Sequence, residues 1–87
     1  MEFEQLRDFV ALAGTGSFSA AARRLYKSHS SVSRAVSALE RELGVTLCLR
    51  DRHSFALTEA GKTLYEGAKA LLAAADALAA EIKEADE

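Results

Sequence analysis

The chain holds a single cysteine, no proline, no tryptophan and no long apolar run. Each shortage excludes something. Cys48 alone cannot close an internal disulfide, and it brings no spaced partners for a metal. The longest uninterrupted apolar run, Ala70 to Ala75, is far too short to cross a bilayer. Met1-Glu2-Phe3-Glu4 is acidic where a secretory leader would be basic, which predicts a cytoplasmic protein with no membrane role. No glycine-rich phosphate loop is present, nor any grouping of nucleophile, base and orienting acid. No enzyme activity and no cofactor are therefore expected. No repeat or low-complexity linker divides the chain, although its last third is rich in alanine.

What remains is one small globular chain. Its 87 residues are 49% hydrophobic and 28% charged, a balance suited to folding rather than disorder. A core this small gains from a partner chain. The formal net charge is -2, but its distribution is uneven. Residues 1–57 carry eight Lys/Arg against six Asp/Glu, and residues 58–87 carry three against seven. Between Ser17 and Arg41, the cations Arg23, Arg24, Lys27, Arg34 and Arg41 face only Glu40. A basic middle beside an acidic tail is compatible with nucleic acid, though a basic stretch by itself can be only a solvated face.

Apolar periodicity and capping residues outline the elements. Phe3, Leu6, Phe9, Val10 and Ala13 recur three and four apart, predicting a first helix closed by Gly14-Thr15-Gly16. Ser17 suits the N-cap of a second helix, Phe18 to Leu25, and Tyr26-Lys27 forms a short turn. Ser28 caps a third helix whose buried stripe is Val32, Val36, Leu39 and Leu43, and Gly44 stops it. Two helices joined by so tight a turn make a helix-turn-helix. Val45, Leu47 and Leu49, then Phe55 and Leu57, alternate with other residues around the polar Arg50-Asp51-Arg52-His53-Ser54. That pattern predicts a short β-hairpin, a wing, although no glycine marks its turn. Thr58 caps a fourth helix that nothing interrupts as far as Ala85, about 40 Å at the usual rise. On it, Gly61, Leu64, Ala68, Leu71, Ala75, Leu78 and Ile82 continue a repeat of alternating four- and three-residue steps begun at Leu57. The expected architecture is mainly α: a winged helix-turn-helix of three helices plus a hairpin over residues 1–57, and a long dimerisation or linker helix over 58–87.

The third helix has the chemistry for a major groove. Its exposed face is short or basic: His29, Ser30, Ser33, Arg34, Ser37 and Arg41. Serines let a helix sit deep and can bond base edges or phosphates, while Arg34 can reach a phosphate or a guanine. The same residues could be no more than the solvated side of a core helix.

The N-terminal part resembles the DNA-binding domain of LysR-type transcriptional regulators. The likeness is carried by Leu6-Arg7-Asp8-Phe9, Gly16-Ser17-Phe18-Ser19-Ala20-Ala21-Ala22, Ser28-His29-Ser30-Ser31-Val32-Ser33-Arg34, Leu39-Glu40-Arg41-Glu42-Leu43-Gly44-Val45 and Leu57-Thr58-Glu59-Ala60-Gly61. These stretches fall in the family's order and spacing and cover nearly the whole chain. The resemblance implies that Ser17 and Arg23 touch the DNA backbone. It places His29, Ser30 and Ser31 against bases, Ser33 and Arg34 on phosphates, and Arg50 and Arg52 at the minor groove or its flanks. Lys27 and Ser28 in the turn and His53 in the wing join them as candidate contacts. The recognition helix would be residues 28–43 and the wing 50–54. The fourth helix would be the family's linker helix, pairing antiparallel with its mate through the 61–82 stripe. The implied partners are promoter DNA and a second copy, with tetramers possible in a longer protein. Family members also carry a larger effector-binding domain after the linker helix, so an N-terminal fragment is expected, with any small-molecule effector bound outside these residues.

Three positions depart from the family pattern. Histidine stands at 29 in place of glutamine, serine at 30 in place of proline or alanine, and cysteine at 48 in place of phenylalanine. Cys48 as a redox sensor is disfavoured by its apolar surroundings, which favour a buried inert thiol. His29 and His53 sit on different elements without paired ligands, so no metal site is assigned. The rival reading is a protein-interaction module that dimerises through the fourth helix without reading DNA.

Overall fold

The computed structural model describes residues 1–51 and 54–86. Its elements are α1 (Phe3–Thr15), α2 (Phe18–Leu25), α3 (His29–Leu43), β1 (Cys48–Arg50), β2 (Phe55–Leu57) and α4 (Glu59–Ala85). Local chemistry sets most of these limits. The Ser17 hydroxyl accepts from the Ala20 N–H at 3.1 Å, Ser28 from Ser31 at 3.0 Å and Thr58 from Gly61 at 3.0 Å, each satisfying an orphan first-turn donor. Gly16 and Gly44 close α1 and α3 with φ near +70° (71° and 70°), where a Cβ would be strained. Tyr26 takes the same left-handed conformation (φ 56°) to close α2, with its side chain in solvent.

The helices bury one core. Leu6, Phe9 and Leu12 of α1 meet Phe18, Ala21 and Ala22 of α2 and Val32, Val36 and Leu39 of α3. The alanines let α2 lie close to its neighbours. Leu43, expected in the buried stripe, is 41% exposed, because α3 has outrun the core by its last turn.

The wing is a two-stranded antiparallel hairpin pairing Cys48 with Leu57, Leu49 with Ala56 and Arg50 with Phe55. Its turn needs no glycine because Asp51 organises it. The Asp51 carboxylate accepts from the Ser54 backbone N–H at 2.9 Å and from its hydroxyl at 3.1 Å, while the Asp51 N–H donates to the Ser54 carbonyl at 3.0 Å. Side-chain capping of this kind replaces the usual hairpin glycine. Arg52 and His53, between them, lie outside the described residues, as does Glu87.

The base of the wing is tied on three sides. The Leu47 N–H donates to Glu40 Oε2 at 2.8 Å, and the Leu47 carbonyl accepts from the Thr58 N–H at 3.0 Å. Thr58 Oγ1 donates to the Thr46 carbonyl at 2.6 Å. Gly61 passes so close to Leu47 that a Cβ would drive into its carbonyl oxygen.

Helix α4 belongs to both parts of the molecule. Gly61 and Ala68 are buried, and Leu64, Tyr65 and Leu72 pack on the core. This corrects the expected dimer seam: Gly61 and Ala68 are consumed inside their own chain, against Leu47 and the core, and neither is available to a second copy. Leu71, Leu78 and Ile82 remain exposed at 47%, 57% and 61%, with Ala75 half-buried. Among the described residues no helix is long and apolar enough to cross a membrane.

Candidate nucleic-acid interface

The starts of α2 and α3 and the wing gather around one open cleft of about 480 Å³. It is lined by Gly16, Ser17, Phe18, Ser19, His29, Arg50, Asp51, Ser54 and Phe55. Two helix N-termini facing one surface present backbone N–H groups and the positive ends of their dipoles to an anion. The hydroxyls of Ser17 and Ser28 are used as acceptors in their caps, so each retains a proton that can be donated to a phosphate oxygen.

The expected contact residues separate on inspection. Arg23, Ser28, His29, Ser30, Arg34 and Arg50 are exposed, while Ser17, Ser31 and Ser33 are half-buried. Arg23 and Arg34 have no salt bridge among the described residues, and four acids of the domain are engaged elsewhere. Glu42 holds the N-terminal ammonium at 2.6 Å, Glu40 holds the wing base, and Glu4 and Asp8 hold Lys27. The arginines thus keep their charge for an outside partner.

Lys27 does not. Its ammonium lies 2.6 Å from Glu4 Oε1 and 3.0 Å from Asp8 Oδ1, bridging the α2–α3 turn to α1. The Asp8 side chain is only 3% exposed, so Lys27 is the counter-ion of a buried carboxylate. This structural role is one that its expected place at the DNA did not include. The hydrogen bond from Lys27 holds the Glu4 carboxyl below the ordinary carboxylate range, and the ammonium charge acts the same way. The bonds to Glu4 and Asp8 in turn push Lys27 up. A depressed carboxyl stabilises the fold above its unfolded titration range and loses that contribution as pH falls through the folded one, below roughly pH 4. Lys27 keeps its contribution through neutrality and loses it only as pH rises beyond about 10.4. Glu4→Gln is expected to lower the melting temperature slightly at pH 7, and acidification through about pH 4 should close the gap to the unchanged chain. A gap in thermal melts that ignores pH would mean the Glu4 charge contributes nothing.

Cys48 is buried at the start of the wing's first strand. Burial pushes its thiol up, the Glu40 charge adds to this, and Arg50 opposes it. The neutral thiol is a packing group, as a reactive thiolate needs the opposite shift.

The recognition face also contains an arrangement that periodicity did not reveal. The Arg50 guanidinium carbon lies 4.1 Å above the centre of the Phe18 ring. The His29 ring lies 5.2 Å from the same ring at 35°, and Phe55 meets it edge-on at 6.5 Å. Glu40 was likewise missed as the tether of the wing, although it stands in the quoted Leu39–Val45 stretch.

Known proteins share this fold. Residues 3–62 match the family model for bacterial regulatory helix-turn-helix proteins of the lysR family. The chain is 49% identical over 72 residues to the HTH-type transcriptional regulator ClcR of Pseudomonas putida, covering 83% of this chain and 24% of that one. It is 42% identical over 79 residues to the transcriptional activator BauR of Pseudomonas aeruginosa, covering 91% and 26%. It thus spans about a quarter of the length of these relatives. Among solved structures, a complex of the CbnR DNA-binding domain with DNA superposes with a TM-score of 0.94 at 38% identity, covering 100% of both chains. The BenM DNA-binding domain on catB site 1 DNA gives 0.96 at 33%, covering 100% of this chain and 98% of that one. With a family model across most of its length and close likeness to both sets, the chain belongs to the LysR family of bacterial regulatory helix-turn-helix proteins.

Proposed function

We propose that the chain holds a transcription regulator on promoter DNA by sequence-specific binding to the duplex, with α3 in the major groove and the wing at the minor groove. The observation that carries this is the division of α3. Val32, Val36 and Leu39 are buried, while His29, Ser30 and Arg34 stand exposed, and His29 lines with Arg50 a cleft flanked by two helix N-termini. Ser17, Ser28, Arg23, Ser33 and Arg34 position the domain on phosphates. His29, Ser30 and Ser31 read bases, and Arg50 anchors the wing. Such a protein acts in the cytoplasm and needs no catalytic centre. The exposed Leu71, Leu78 and Ile82 of α4, with the half-buried Ala75, pair with the same face of a second copy, so that two recognition helices meet two half-sites. Any small-molecule control would come from a domain outside these residues.

Arg34→Ala tests the reading. Affinity for all duplexes should fall together, roughly tenfold or more for loss of a charged hydrogen bond. The slope of log affinity against log salt should become shallower by about one. Fluorescence anisotropy at several salt concentrations measures both. Unchanged affinity would remove Arg34 from the interface and favour a pairing module that does not read DNA.

A further inference from the structure

We propose that Phe18 is a positioning residue that couples base reading by His29 to wing binding by Arg50, making the recognition helix and the wing one reading unit. The inference rests on the DNA-binding reading above and goes further into it. Three side chains from three elements converge on one ring: His29 from the start of α3, Arg50 from the end of β1 and Phe55 from β2. Phe18 itself is buried at the first position of α2, so its backbone is fixed by the core. The imidazole and the guanidinium are both exposed and would otherwise sample several rotamers. Contact with the ring restricts both before DNA arrives.

The chemistry makes the restriction mutual. A guanidinium over an aromatic face is held by charge–quadrupole attraction, which grows when the site is desolvated. DNA seated over the cleft would desolvate it. Removing Arg50 frees the ring on which His29 rests, and removing His29 opens the ring to water and weakens the Arg50 contact. The imidazole rests against Phe18 at a tilt of 35°, a contact that limits the directions in which its ring nitrogens can point. A single imidazole nitrogen offers one hydrogen bond to a purine, so its discrimination depends on being aimed.

The experiment is a double-substitution cycle on the 87-residue chain, using a duplex selected by that chain from a random pool. His29→Ala and Arg50→Ala together should weaken binding by about threefold to tenfold less than the product of their separate losses, the range for groups in contact. In a Phe18→Leu background the two losses should multiply, and Phe18→Tyr, which keeps the ring, should restore the coupling. Because Phe18→Leu can fail to fold, Arg50→Lys provides an independent arm. It keeps the charge and loses the planar guanidinium, so base preference under His29 should relax by a larger factor than affinity for unselected duplexes falls. Losses that multiply in the unchanged background, or base preference that survives Arg50→Lys, overturn the coupling and leave DNA binding standing. An unchanged chain that binds no duplex overturns both.

Discussion

A Gly61→Ala chain is expected to melt roughly 10–20 °C below the unchanged one, the shift for a loss of about 2–3 kcal/mol in a domain of this size. The added Cβ would enter the space of the Leu47 carbonyl oxygen, with the carbonyl carbon and the Leu57 side chain close behind. A flexible side chain could move aside, but this carbonyl cannot. It accepts the Thr58 N–H, the Leu47 N–H is held by Glu40, and Thr58 is tied to Thr46. Relief requires lifting the start of α4 off the base of the wing, which breaks those bonds. Gly67 on the same helix is the control. A Cβ there meets nothing within 4 Å, so Gly67→Ala should stabilise by roughly 0.5–1 kcal/mol, through the usual helical preference for alanine. Thermal melts by circular dichroism should show shifts of opposite sign. Two shifts of similar size and sign would mean that α4 does not approach the wing base as described.

Leu71→Asp should convert a dimer to monomers while leaving the fold of each chain intact. Leu71 is already 47% exposed, so the substitution costs its own domain little. In the proposed helix pair the leucine is buried twice, once from each copy, and an aspartate would bring two like charges into a dry seam. Lost apolar burial alone is on the order of 2–4 kcal/mol, roughly one and a half to three decades in the dimer dissociation constant. Light scattering at micromolar concentration should report a monomer, with the helical spectrum unchanged. A dimer that persists would move the interface away from this face of α4.

How far the fold was legible depends on whether the cause was local. Ser17, Ser28 and Thr58 cap their own helices, and Gly16 and Gly44 end them, so those boundaries could be read from neighbours in the chain. The wing turn was harder, because Asp51 does through its carboxylate what glycine does through its backbone. The stripe on α4 was legible as a stripe but not in its division. The repeat is the same whether a residue faces its own domain or another chain, and only the position of Leu47 shows that Gly61 belongs to the former. Lys27 looked like one more cation in a basic segment, since its partners Glu4 and Asp8 are some twenty positions away (23 and 19). The stacking on Phe18 has the same origin. Phenylalanine in a helix reads as core, and nothing near it in the chain announces that a wing arginine folds over its face.

The last residue of α4 packed on the core is Leu72, and the helix continues to Ala85. That leaves thirteen residues, 73–85, as a stiff arm of about 20 Å, steadied near its root by the Arg7–Asp76 ion pair at 3.9 Å. Rotating its root by roughly 10° carries the far tip sideways by 3–4 Å, close to the ~3.4 Å separating successive base pairs along a DNA strand. Angular play where the helix leaves the core after Leu72 is thereby geared into displacement of one rung of the ladder. The stiffness of this joint, more than the identity of any side chain beyond it, sets how tightly the distance between two bound modules can be gauged.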